Sequence, residues 1–256
     1  MRTERSWLQY STKIARTIVR AAAAMLFPPD CAACGARIVR GAVCDACRAS
    51  IRVHRHFFCA ICGARLSAEA LAKARSPASG TANTACHPAA PFLLAAAGSY
   101  DDPALKALIH ALKFRGLRVA AEPIAEIIAA YLAETGFDPA GFILVPLPLH
   151  RRRRNRRGFN QAEEIGRHLA RRLGIELRTD ILVRTRHTKP QTEIPGAARQ
   201  RNVASCFAVP RSAAAAGKDI IILDDVVTSG ATLAEAARAV KAAGARKIVG
   251  LAAAKA

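Results

Sequence analysis

Ile220 to Leu223 set four aliphatic residues in a row and run without a break into Asp224 and Asp225. Two valines follow, and then Thr228, Ser229, Gly230, Ala231 and Thr232 open onto an alanine-rich run. An unbroken aliphatic run has no polar face, so it suits a strand covered on both sides, as in the middle of a parallel sheet. The paired acids and the hydroxyl-rich turn have no place in such a core. They belong at the exit of the strand, because open parallel sheets bind ligands beyond the carboxyl ends of their strands. There the turn offers successive backbone N–H groups, the hydroxyls of Thr228, Ser229 and Thr232, and the flexible Gly230. The positive end of the next helix lies behind them. A phosphate fits that turn, and the two carboxylates suit vicinal hydroxyls of a sugar attached to it.

The chain around this strand alternates helix and strand patterns. Residues 101–114 read as a helix with Asp102 as its cap, Pro103 at the first helical position and Leu105, Leu108, Ile109 and Leu112 on one face. Residues 123–134, 160–174 and 231–243 are further helices, the last two ended by Gly174 and Gly244. Strand candidates are 141–149, 180–184, 206–209, 219–225 and 247–254. This order predicts an α/β fold with an open, mainly parallel sheet and helices on both faces. The 19-residue stretch 184–202 is polar and interrupted by proline, which is long for a connection and suits a mobile lid.

A different pattern precedes it. Seven of the eight cysteines lie between residues 31 and 86, spaced as Cys31-x-x-Cys34, Cys44-x-x-Cys47, Cys59-x-x-Cys62 and a single Cys86. Two Cys-x-x-Cys pairs on tight turns converge tetrahedrally on Zn2+, and Cys31, Cys34, Cys44 and Cys47 form such a set. A disulfide framework would need an oxidising compartment, and no export signal is evident. The second set holds Cys59, Cys62 and Cys86, with Asn83 where a further cysteine is expected. His87, His54 or His56 completes it, or the site is degenerate. Closed zinc sites are structural, so this front suggests scaffolding or partner binding. The division expected is a basic N-terminal helix or leader over 1–27, a small double zinc ribbon over 28–90 and the α/β domain over 91–256.

Charge narrows the partners. The formal net charge is +20, with 13 Lys/Arg against 4 Asp/Glu in residues 1–100 and 26 against 15 thereafter. Such a surface favours polyanions, whether nucleic acid or a phosphorylated small molecule. Aromatic residues make up only 5% of the chain, which argues against an extended base-stacking groove. No long uncharged apolar run suggests a membrane span, and a cytoplasmic location is expected.

Taken together, residues 220–232 resemble the phosphoribosyl-pyrophosphate (PRPP) motif of type I phosphoribosyltransferases. The wider chain resembles the competence protein F (ComF) family, which joins an N-terminal double zinc ribbon to such a domain. Residues 100–116, 145–166 and 199–207 extend the match, and Asn83 departs from it. The resemblance implies that Asp224 and Asp225 hold the ribose 2′- and 3′-hydroxyls and have a catalytic role. It places Thr228, Ser229, Gly230, Ala231 and Thr232 around the 5′-phosphate, and a pyrophosphate-binding loop after the 141–149 strand. Six arginines occupy the seven positions 151–157, enough to neutralise a pyrophosphate, with a solvated or DNA-contacting run as the alternative. Arg151, Arg152 and Arg157 are the candidates there. Lys189, Arg199 and Arg201 are candidates for closing over the pyrophosphate, Lys189 with a catalytic role.

In a working transferase, PRPP binds with Mg2+ and pyrophosphate leaves the anomeric carbon. The acceptor is not legible, and no glutaminase cysteine opens the chain. The resemblance also implies a role in natural competence. Its second form is a non-catalytic zinc protein that binds single-stranded DNA or competence proteins, with the PRPP site regulatory or vestigial.

Overall fold

The computed structural model describes residues 29–66, 87, 90, 92–186 and 205–256. Cys86, Lys189, Arg199 and Arg201 lie outside them, as does the 1–27 segment. After a short helix α1 (Asp45–Ser50), strands β1 (Phe57–Cys59) and β2 (Arg65–Leu66) form a hairpin. Strand β3 (Leu93–Ser99) leads into helices α2 (Pro103–Lys113) and α3 (Ala121–Glu134). Then come β4 (Phe142–Pro146), α4 (Arg151–Arg157), α5 (Gln161–Leu173), β5 (Glu176–Leu177), β6 (Val183–Arg184) and β7 (Phe207–Ala208). The described chain closes with β8 (Asp219–Val227), α6 (Ala231–Ala242) and β9 (Lys247–Lys255).

Seven strands form one sheet in the order β2-β1-β3-β9-β8-β4-β5. The run from β3 to β5 is parallel, while β1 pairs antiparallel with β3 and β2 with β1. The aliphatic run sits near the middle, as its lack of a polar face requires. Its pleat sends Ile221 and Leu223 to one face, against α2, α3 and α5, and Ile220 and Ile222 to the other, against α6. Capping follows the local chemistry: Asp102 Oδ1 accepts from the N–H groups of Ala104 and Leu105, both at 3.0 Å. At the far end of β8, Asp219 is pinned by Arg246 through two contacts of 2.7 Å.

Several features differ from the sequence expectation, among them the short elements α1, β1, β2 and β5 and the helix α4 where a loop was expected. The strands expected at 180–184 and 206–209 shrink to β6 and β7, which pair antiparallel in a separate two-stranded sheet. Strand β3 was not expected, because "LLAAAGS" lacks the β-branched residues that mark strands. Its small residues let α2 come close: a Cβ on Gly98 would stand 2.8 Å from Leu105 Cδ2.

The cysteine-rich front shares this core. Phe57 and Cys59 pack in the cluster that holds α2 and α3, and Tyr131 of α3 donates its hydroxyl to the His56 carbonyl at 3.0 Å.

Candidate functional site at the end of the central strand

The β8 pleat that splits the aliphatic residues also separates the two acids. Asp225, 8% exposed, meets Lys113 at the end of α2, with Nζ 3.2 Å from Oδ1 and 3.1 Å from Oδ2. Asp224 is half-buried and faces the charge of Arg184, from β6. Burial first and then the neighbouring Asp225 carboxylate push the Asp224 carboxyl up to about 7, against the pull of Lys113 and Arg184. Burial works to lower Lys113, but the Asp225 and Asp224 carboxylates outweigh it and raise it. Arg157, at the end of α4, is half-buried; burial lowers its affinity for the proton while Asp225 restores part of it. Three cations from three separate elements therefore surround the acid pair.

Immediately after β8 the chain bends through Thr228, Ser229 and Gly230. Gly230 adopts φ 74°, in the left-handed region, and forms the N-cap of α6. It has no side chain to cap the helix, so the N–H groups at the start of α6 are presented at the turn beside the half-buried Thr228 and Thr232 and the exposed Ser229. This is the anion-receiving geometry that a helix start and its dipole provide.

The neighbouring strand β4 supplies the adjoining wall. Leu147 N donates to Leu223 O at 2.8 Å, which aligns the loop 147–150 with the end of β8. Asn160 locks that loop: its Nδ2 donates to Leu147 O at 3.0 Å while its Oδ1 accepts from Ala162 N at 3.2 Å and caps α5. The arginine run is helix α4, capped by His150 and ended by Gly158 at φ 77°. Arg151 and Arg152 are exposed, and of the three expected arginines only Arg157 joins the acids. Lys113 and Arg184 were missed by the sequence reading. Lys113 lies within the motif segment 100–116, but its partner is 112 positions away.

The cysteines form two clusters. Cys31, Cys34, Cys44 and Cys47 place their sulfurs within 4.8 Å of one another, and Cys34 and Cys44 are 3.8 Å apart. Zinc–sulfur bonds of about 2.3 Å in a tetrahedron set sulfurs about 3.8 Å apart, so the donor set fits Zn2+. Burial opposes ionisation of Cys31, but N–H groups of Cys34, Cys44 and Ala33 outweigh it and bring the thiol down to about 6. Cys59, Cys62 and His87 form the second cluster, with Cys59 Sγ 3.4 Å from His87 Nδ1. Two thiolates and an imidazole fit the same ion with one ligand to be added. His87 is the histidine that joins; His54 Nδ1 instead lies 3.0 Å from the Ala96 carbonyl oxygen.

Fold and site together define a phosphoribosyltransferase-like α/β protein with an N-terminal double zinc ribbon. A family model for the double zinc ribbon domain matches residues 22–78, and one for the phosphoribosyl transferase domain matches residues 160–254. The chain is 34% identical over 140 residues to DNA utilization protein YhgH of Escherichia coli K12, covering 53% of this chain and 60% of that protein. It is 31% identical over 106 residues to competence protein F of Haemophilus influenzae, covering 41% of this chain and 46% of the relative. It is 32% identical over 146 residues to competence protein ComFC of Bacillus subtilis, covering 55% and 54%. The chain thus resembles these competence and DNA-utilization proteins and carries matches to both domain models. The matches span no more than 60% of these relatives' lengths. The glutamine PRPP amidotransferase of B. subtilis aligns at 17% identity over 54% of this chain and 26% of its own, with a TM-score of 0.37, a likeness too slight to bear on function. Among the described residues, no helix is long and apolar enough to cross a membrane.

Proposed function

We propose that the end of β8 binds PRPP together with Mg2+. The observation that carries this reading is the acid pair followed at once by an N-terminal helix turn with Gly230 in the left-handed conformation. Asp224 and Asp225 accept hydrogen bonds from the ribose 2′- and 3′-hydroxyls, and residues 228–232 receive the 5′-phosphate. Arg157 and the loop 147–150 face the pyrophosphate, joined by Lys189, Arg199 and Arg201 from the segment outside the described residues. Lys113 pairs with Asp225 at 3.1 and 3.2 Å and so fixes the position of its carboxyl group for the sugar. Mg2+ carried in with the ligand would offset the charge of the pyrophosphate, with Asp224 and Asp225 as the acidic side chains at hand to hold it. With such a ligand in place and an acceptor nucleophile attacking the anomeric carbon, the cations would stabilise the charge on the departing pyrophosphate. The reduced thiols needed for zinc accord with a cytoplasmic protein.

Calorimetric titration with PRPP and Mg2+ tests this reading. Asp224→Ala combined with Asp225→Ala should cut affinity at least a hundredfold while the circular dichroism spectrum persists. Equal affinity in the folded double variant would reject the site.

A second reading, handling of single-stranded DNA, is supported by a ring series beside the acids. Tyr100 OH lies 2.8 Å from His110 Nε2, and the His110 ring is 5.0 Å from that of Phe114, which is 65% exposed. Lys106 sits over Tyr100 at 5.4 Å and Arg157 over Phe114 at 5.7 Å. Few as the aromatics are, these are gathered with cations, the combination that stacks bases and tracks phosphates. Phe114→Ala should weaken oligothymidine binding about tenfold, a stacking loss of about 1–3 kcal/mol. Unchanged binding by that variant would remove the strip from any strand-binding surface.

A further inference from the structure

The second cysteine cluster is built against the phosphate turn. Cys59 is the last residue of β1 and pairs with Leu93 at the start of β3. The chain then folds through a tight knuckle in which Gly63 N donates to Cys59 O and Cys59 N to Ala64 O, both at 2.8 Å. Ile61 N points to Cys59 Sγ at 3.5 Å. Ala60, inside this knuckle, packs into the hydrophobic cluster that also holds Val227 and Ala231, the residues flanking the turn. Its carbonyl oxygen lies 3.8 Å from the place a Cβ on Gly230 would occupy.

A second contact reinforces the first. A Cβ on Gly63 would stand 3.8 Å from both Cε and Nζ of Lys255, and Lys255 Nζ lies 5.5 Å from the Phe58 ring centroid. Lys255 pairs with Val227 in the β9–β8 register, and Ala256 N donates to Val227 O at 2.9 Å. The knuckle therefore lies beside the turn at Ala60 and next to the Lys255 side chain, whose residue pairs with Val227 at the end of β8.

We infer that a metal held by Cys59, Cys62 and His87 positions the Thr228–Gly230 turn for a 5′-phosphate, making this knuckle a wall of the ligand site. The inference rests on the PRPP reading. Gly230 is the residue with the largest backbone freedom at the turn, and ordering it on binding costs free energy. A knuckle pinned by metal holds the Ala60 carbonyl against Gly230 before the ligand arrives, so that cost is met in advance. The first cluster lacks this placement in its contacts: Cys44 caps α1, and Arg48 of α1 reaches Glu126 on α3 at 3.1 Å.

The test uses the full zinc-loaded chain, with ribose 5-phosphate and Mg2+–pyrophosphate as separate probes and zinc content measured throughout. Cys62→Ser, which changes an exposed ligand, should weaken ribose 5-phosphate binding at least tenfold and leave pyrophosphate affinity within twofold. Cys47→Ser, which disables the first cluster, should leave both affinities within twofold. Cys62→His, which keeps a zinc ligand, should restore ribose 5-phosphate binding. Undiminished ribose 5-phosphate affinity in Cys62→Ser after its metal is lost would overturn the inference, as would an equal loss in both serine variants or for both probes. A spectroscopic arm needs no change at the second cluster. In cobalt-loaded Cys47→Ser, the thiolate–cobalt bands should shift on addition of ribose 5-phosphate, and unshifted bands at saturation would also overturn the inference. Failure of the wild type to bind ribose 5-phosphate at all would instead bring down the PRPP reading beneath it.

Discussion

The two cysteine clusters each begin with a Cys-x-x-Cys pair and differ in what they lean on. The first is complete, with four sulfurs, and is fastened to the helical layer by Ala42 in the core and by Arg48 against Glu126. The second ends a strand of the main sheet and presses its knuckle on the turn after β8. A zinc ribbon can thus serve as a fitted ornament or as part of a site, and the sheet it joins decides which. Pairing of β1 with β3 sets Cys59 beside Leu93, at the start of β3, and it is Ala60, packed on the sheet face with Val227 and Ala231, that brings the knuckle near the turn after β8.

That contrast predicts strong consequences for residues near β8 and weak ones at the first cluster. The largest effect concerns Asp224. Its carboxyl keeps a proton in the folded state to about pH 7, while the unfolded chain releases it near the ordinary carboxylate value. The folded state therefore loses stability as pH rises from about 4 to 7, by up to about 4 kcal/mol. Asp224→Asn should flatten that dependence in thermal melts between pH 5 and 8. A wild-type melt that holds steady over this range would contradict the buried-acid account.

Next comes Lys113. Lys113→Ala leaves Asp225 as an 8% exposed carboxylate without its ion-pair partner. Removing one member of a buried pair costs about 3 kcal/mol, somewhat less here because Lys113 keeps partial contact with water. Urea unfolding should register most of that loss, and Lys113→Ala combined with Asp225→Ala should recover part of it. Gly230→Ala forces a side chain into the left-handed region beside the Ala60 carbonyl. The strain is about 1–2 kcal/mol, and ribose 5-phosphate affinity should fall in step. Wild-type affinity in the Gly230→Ala variant would show that the turn tolerates displacement.

The smallest effect belongs to the first cluster's tether. Arg48 is 47% exposed on its side chain, so Arg48→Ala should cost less than about 1 kcal/mol and leave ligand binding unchanged. A larger loss would mean that the first cluster, too, supports the body of the protein.

Much of this architecture was readable from residues alone, and the reasons for the remainder are physical. The run Ile220–Leu223 is a covered strand as read, and the acids and turn expected at its exit stand at the carboxyl end of β8. Pro103 and Asp102 announce the start of α2, and Gly174 marks the end of α5. Strand β3 escaped notice because close helix packing, rather than β propensity, selects its alanines and Gly98. The cations around the acids were only partly legible, since Lys113, Arg157 and Arg184 come from three elements that only the sheet order brings together. The arginine run drew attention to six side chains, yet position along α4 directs Arg157 toward Asp225 and leaves Arg151 and Arg152 exposed. The second cluster needed His87, a residue whose role depends on a fold that returns it to Cys59.

The most direct measurement is a titration of the wild-type, zinc-loaded protein with PRPP and Mg2+ at pH 6 and again at pH 8. An Asp224 carboxyl near 7 is largely protonated at the lower pH and largely ionised at the higher, and the ionised form is the better acceptor for a sugar diol. Binding should occur at both values and be about tenfold tighter at pH 8. Absence of binding at both, in a folded sample with its metal intact, would contradict the assignment of this strand end to PRPP.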